Sequence, residues 1–174
     1  MIKSYYADIT DLSFNDSDLD IFSIERKSYI LSIKDYKRRL QSFFVWKLLL
    51  KILPQDNLNF TVLPTGEWVE KDNKIFISLS HSNNIVCVSI SNSACGIDVE
   101  MRSDKILKLK NKYKITNSND LILDLTKKFT FEEAYFKSKN ASKSTSIIVS
   151  DELYNSYVIT CCGAENTEFY KIDI

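Results

Sequence analysis

Glycine and proline are scarce in this chain, three and two among 174 residues. Turns must therefore fall to Asn, Asp and Ser, which tolerate tight backbone geometry through their short polar side chains. Long apolar runs are missing too. The opening Met1 to Thr10 lacks the apolar stretch of a signal peptide, and no later segment approaches bilayer length, so a cytoplasmic protein without membrane contact is expected. Charge of either sign is not in excess, because 23 basic residues meet 23 acidic ones. That balance excludes a whole-surface attraction to nucleic acid and leaves room only for a local basic patch serving a small polyanion. There is one histidine, and Cys87, Cys95, Cys161 and Cys162 have no Cys-x-x-Cys spacing. Structural zinc is not expected; reduced, half-buried thiols are.

What is present is core material: 44% of residues are hydrophobic and 12% aromatic, enough for one domain or two small lobes. Leu40, Phe43, Phe44, Leu48 and Ile52 recur at three- and four-residue spacing, which predicts a helix over Lys34 to Leu53. A weaker helical segment covers Asp18 to Ser32, and Phe60 to Val62 reads as a short strand between Pro54 and Pro64. Ile75 to Leu79 and Ile85 to Ile90 read as strands joined by polar Ser80-His81-Ser82-Asn83-Asn84, and Gly96 to Glu100 as a third. A helix over about Asp120 to Lys139 and strands at Tyr157 to Cys162 and Glu168 to Ile172 complete an α+β order. A strand followed by an Ile-Asp strand occurs twice, at Ile85 to Glu100 and Tyr157 to Asp173, hinting at two lobes.

Within Gly96-Ile97-Asp98-Val99-Glu100 side chains alternate, so Ile97 and Val99 can face a core while Asp98 and Glu100 project together. Paired carboxylates suit a hard cation such as magnesium; they equally suit a solvated strand face. Glu133 and Lys137 lie four apart on one helix face, as a functional acid and base or as an ordinary exposed ion pair. His81, flanked by Ser80 and Ser82, is either a ligand contact or a solvated histidine.

Taken in order, Ser80-His81-Ser82, Gly96-Ile97-Asp98-Val99-Glu100 and Phe129 through Glu133 to Lys137 resemble the 4′-phosphopantetheinyl transferases. The likeness is to the surfactin-synthetase-activating type, whose hallmark segments are Ser-His-Ser, Gly-Ile-Asp-x-Glu and Trp-x-x-Lys-Glu-x-x-x-Lys, and it spans about Ile75 to Lys139. It implies a pseudo-dimer of two similar α+β lobes, here 1–95 and 96–174, with coenzyme A in the cleft between them. Asp98, Glu100 and Glu133 would hold Mg2+, while Ser80, His81 and Lys137 would contact coenzyme A phosphates. Glu133 and Lys137 would be the catalytic pair. Arg26 and Arg38, with Lys27 and Arg39, are candidates for the 3′-phosphate. The partner would be an apo acyl or peptidyl carrier protein, the products holo-carrier and 3′,5′-ADP, and the transferase a monomer.

Among the departures from the pattern, Glu132, Glu67 and the short tail motivate a second expectation, a non-catalytic relative that binds a carrier or coenzyme A. Glu132 stands where the family has lysine, and Phe129 where it has tryptophan. Gly66-Glu67-Trp68 replaces Gly-Lys-Pro, with Lys71 or Lys74 as substitutes, and Asn140 replaces a glycine before a short tail. Glu132 facing the phosphates at about 6 Å would be repelled by roughly 3 kcal/mol at an effective dielectric near 20.

Overall fold

A computed structural model describes residues 1–53, 60–62, 68–70, 75–139, 143–151 and 154–174. Glu67, Lys71, Lys74 and Asn140 lie outside the described residues.

The chain opens on a strand the apolar pattern did not announce, β1 (Ile2–Asp8), whose inward positions mix Ile2 and Ala7 with Ser4. The weak helical segment resolves into a 3-10 turn, Asp16–Ile21, and α1 (Ile24–Ser32), which Ser23 caps by accepting from the Arg26 amide. The helix expected over Lys34 to Leu53 is α2 (Tyr36–Ile52), started by the Asp35 carboxylate accepting from the Arg38 amide at 2.7 Å. Its Phe43, Phe44, Leu48 and Leu49 pack with Ile9, Leu19, Val86 and Val88 into the largest core, and Phe14 stacks on Phe43 at 4.3 Å.

Strands β2 (Phe60–Val62), β3 (Trp68–Glu70), β4 (Ile75–Ser82) and β5 (Ile85–Ser91) join β1 and β9 (Thr167–Lys171) in one mixed sheet, ordered β2-β3-β4-β5-β1-β9. Only β9 runs parallel to its neighbour there. Beside it lies a three-stranded antiparallel sheet, β6 (Cys95–Met101), β8 (Tyr154–Gly163) and β7 (Lys143–Asp151), in the order β6-β8-β7. Helix α3 (Lys110–Tyr113) is short, and α4 (Leu121–Lys137), capped by Asp120, lies over β6 and β8. Buried Thr130 and Thr160 share a hydroxyl hydrogen bond of 2.7 Å across that contact.

Two differences from the expected elements matter for the site. Ser80, His81 and Ser82 belong to β4 itself, and the connecting turn is only Asn83–Asn84, with Asn83 at φ 50. Hydroxyl and imidazole groups look like turn chemistry in sequence, but here they sit in a strand whose ladder runs to Ser82↔Ile85. The four thiols are fully buried rather than half-buried, and none is in a disulfide; burial pushes Cys162 up to about 12.

Among the described strands the chain passes from the six-stranded sheet to the three-stranded one at β6 and back at β9. A 17-residue helix, α2, precedes the β4–β5 hairpin, yet the next strand, β6, joins the other sheet. A second 17-residue helix, α4, precedes the β7–β8 hairpin, and its next strand, β9, returns to β1. No described helix is long and apolar enough to cross a membrane.

Candidate functional site

The site grows from the seam where β4 meets β6. Strand β6 pairs with β8 on one side only; its other edge would expose unsatisfied amides. Serine hydroxyls of β4 fill that role: the amides of Ile97, Val99 and Met101 donate to the Oγ of Ser78, Ser80 and Ser82 at 3.0, 3.3 and 3.2 Å. Ser80 in turn donates to Asp98 Oδ1 at 2.9 Å, and Ser82 donates to Glu100 Oε2 at 2.8 Å.

Above this seam α4 comes close because position 96 is glycine. A methyl there would strike the Ala134 carbonyl and approach the Lys137 carbonyl carbon to 2.9 Å. That closeness delivers Lys137 to Asp98. Its Nζ donates to Asp98 Oδ1 at 2.7 Å, to the Ile97 carbonyl at 3.0 Å and to Ser80 Oγ at 3.3 Å, which uses all three ammonium protons. The helix spacing pointed to Glu133 as the neighbour of Lys137; the ion pair it forms is with Asp98.

Asp98 is 5% exposed, and its Oδ2 is buried without a hydrogen-bond partner. Desolvation raises its pKa, against the opposing pull of Lys137 and Ser80. Desolvation also raises Glu100, and the charges of Asp98 and Glu133 add to that while the Ser82 hydrogen bond opposes it. Asp98, Glu100 and Glu133 thus share one electrostatic neighbourhood. Among the described residues no three His, Cys, Asp or Glu side chains close into a ready cage.

A cleft of about 380 Å³ lies against this group, walled by Arg26, Tyr29, Trp46, His81, Asp98 and Lys137. Arg26 and Trp46 also line two adjoining hollows, of about 330 Å³ with Phe136 and Lys139 and about 710 Å³ with Phe60 and Trp68. The Arg26 guanidinium stacks 3.8 Å from the Trp46 ring centroid and 5.0 Å from that of Tyr29. His81 reaches the surface, and desolvation, with Lys137 and Arg38 nearby, lowers its pKa, so the free imidazole is neutral at pH 7.

Of the basic residues singled out near the first helix, Arg26 lines the cleft and exposed Arg38 sits within electrostatic range of His81. Lys27 pairs with Asp20 at 2.5 Å, and Arg39 donates to the Ile33 carbonyl at 2.9 and 2.7 Å. Glu132 is held by Lys112 at 2.5 Å and Tyr113 at 2.9 Å, toward α3. Sequence reasoning missed Tyr29, Trp46 and Trp68; an aromatic in a helix or a short strand carries the same local pattern whether it is core or cleft wall.

No family model and no curated protein matches this chain.

Proposed function

We propose that the protein is a 4′-phosphopantetheinyl transferase, moving the phosphopantetheine arm of coenzyme A to a serine of an apo acyl or peptidyl carrier protein. The observation that carries this reading is the meeting of Ser80, His81, Asp98 and Lys137, from two strands and a helix distant in sequence, in one cleft edged by Arg26, with Asp98 Oδ2 buried without a partner and Glu100 two residues along the same strand. The pseudo-dimer belongs to the same proposal, supported by the two helix–hairpin–strand units and their mutual strand exchange.

The carboxylates fit a magnesium ion. Asp98 Oδ2 is an oxygen already removed from water and without a partner, and Glu100 lies two residues along the same strand, with Glu133 close enough to raise its pKa. Asp98, Glu100 and Glu133 would hold the ion, which would neutralise phosphate oxygens on coenzyme A. Glu133, directly or through a water it orients, takes the proton from the carrier serine as its oxygen bonds to the β-phosphorus. The pyrophosphate P–O bond breaks, and 3′,5′-ADP leaves with Lys137 offsetting its charge. Neutral His81 is poised to donate to a phosphate, and Arg26 and Arg38 offer charge to the 3′-phosphate. The proposed compartment is the cytoplasm and the proposed state a monomer.

Intact-mass spectrometry of an apo-carrier with this protein, coenzyme A and Mg2+, beside an EDTA control, tests the reading. A metal-dependent gain of one phosphopantetheine is expected; no gain across fatty-acid, polyketide and peptide carriers overturns it. A second reading, coenzyme A or carrier binding without turnover, is favoured by the commitment of every Lys137 proton to protein acceptors. Tight binding with no mass gain would select it.

A further inference from the structure

The β4 serines differ in one respect that separates structure from function. Each of the three accepts an amide from the residue nineteen positions on: Ser78 from Ile97, Ser80 from Val99, Ser82 from Met101. The residue eighteen positions on then decides what the hydroxyl proton meets. For Ser80 that is Asp98, for Ser82 it is Glu100, and for Ser78 it is Gly96, which has no side chain.

A hydroxyl has one proton and two lone pairs. Ser80 spends its proton on Asp98 and its lone pairs on the Val99 amide and Lys137, so nothing remains for a phosphate unless this network opens. Ser82 likewise gives its only proton to Glu100.

We infer that Ser80 and Ser82 are positioning residues, each clamping one carboxylate of the Asp98–Glu100 pair while anchoring the next backbone amide, and that Ser78 is an anchor alone. The amide bond fixes the height of β6 against β4, and the proton fixes the rotamer of the carboxylate one residue back. Two acids on successive same-face positions of an edge strand would otherwise repel and turn apart. With hydroxyls held in a β-ladder register beneath them, both are aimed into one volume before any ligand arrives, the arrangement that outer hydrogen bonds give to metal ligands. The inference rests on the transferase reading only for the purpose of that aim; the clamp itself is a statement about rotamers.

The test uses Ser78→Ala, Ser80→Ala, Ser82→Ala and Ser82→Thr in the whole chain. Side-chain coupling constants from NMR report χ1 of Asp98 and Glu100, amide exchange reports Ile97, Val99 and Met101, and EPR titration with Mn2+ alone reports metal binding. Ser78→Ala should speed exchange at Ile97 and leave both carboxylate rotamers and Mn2+ affinity at the wild-type values. Ser80→Ala and Ser82→Ala should speed exchange at Val99 and Met101, average the rotamer of Asp98 or Glu100 respectively, and weaken Mn2+ about tenfold. Ser82→Thr should restore the Glu100 rotamer. Unchanged carboxylate rotamers in Ser80→Ala and Ser82→Ala would overturn the inference even if the amides exchange faster. If the wild type takes up no Mn2+, the metal site of the proposed transferase fails, and the rotamers still decide the clamp.

Discussion

The amide nitrogen of Ser138 lies where it would be 2.5 Å from a methyl carbon on Gly96, and the Ala134 carbonyl would be nearer still. The last turn of α4 thus rests on bare backbone of β6, and the reach of Lys137 into the cleft depends on it. Gly96→Ala must push backbone rather than a flexible side chain. It should cost about 1–3 kcal/mol of stability, read as a lower urea midpoint, and should reduce turnover more than the loss of folded protein accounts for. Full stability together with full activity would show that α4 need not rest there.

Lys137→Met leaves Asp98 as a buried carboxylate with one hydrogen-bond donor side chain removed. Breaking such a pair from one side should cost about 3 kcal/mol, whereas Asp98→Asn with Lys137→Met should recover much of it. A double-mutant cycle by chemical denaturation gives the coupling. Additive effects, within about 0.5 kcal/mol, would mean that the 2.7 Å pair does not hold in solution.

The two strand carboxylates set an unusual pH dependence. Desolvation raises Asp98 and Glu100 above their ordinary values of 3.8 and 4.5. Their contribution to stability is therefore complete below those values and is lost as pH rises through the raised ones. A divalent cation would reverse the loss only where both are ionised. Calorimetry with Mg2+ against EDTA should show a larger rise in Tm at about pH 8 than at about pH 5. An equal or absent shift at both would rule these carboxylates out of the proposed metal site.

Helix α2 and strands β5 and β6 were legible because their apolar residues recur at the spacing of their geometry and most positions in β5, β6 and the middle of α2 are buried. Strand β1 was not, since Lys3, Ser4, Tyr5 and Tyr6 break the alternation and its place between β5 and β9 depends on distant partners. The end of β4 read as a turn because serines announce turns; here the same hydroxyls serve as hydrogen-bond partners for a neighbouring edge. Local spacing paired Lys137 with Glu133. The fold offered it a more deeply buried acid, and burial makes that attraction stronger than any on an exposed helix face.

His81 should gain a proton when an anionic ligand enters the cleft. Its free pKa is lowered by desolvation and by the charges of Lys137 and Arg38, and the negative charge of a phosphate beside it favours the protonated imidazole. An NMR titration of the imidazole should move upward on adding coenzyme A. No movement at saturating ligand would place the phosphates elsewhere.

Glu132→Lys introduces the residue that the proposed transferase family has at this place. Glu132 is spent on Lys112 and Tyr113, so the exchange should leave coenzyme A affinity within about twofold and cost no more than about 1 kcal/mol, the range of exposed pairs. A large gain in affinity by isothermal titration would instead put position 132 over the phosphates.

The crossing of β6 and β9 means that the chain has no severable half. Residues up to Ser91, taken by themselves, would present β1 with a bare edge where β9 belongs. The remainder would lack the serine hydroxyls that satisfy the outer edge of β6. Each piece is the other's missing edge, so the loss of one would leave unpaired backbone on its counterpart.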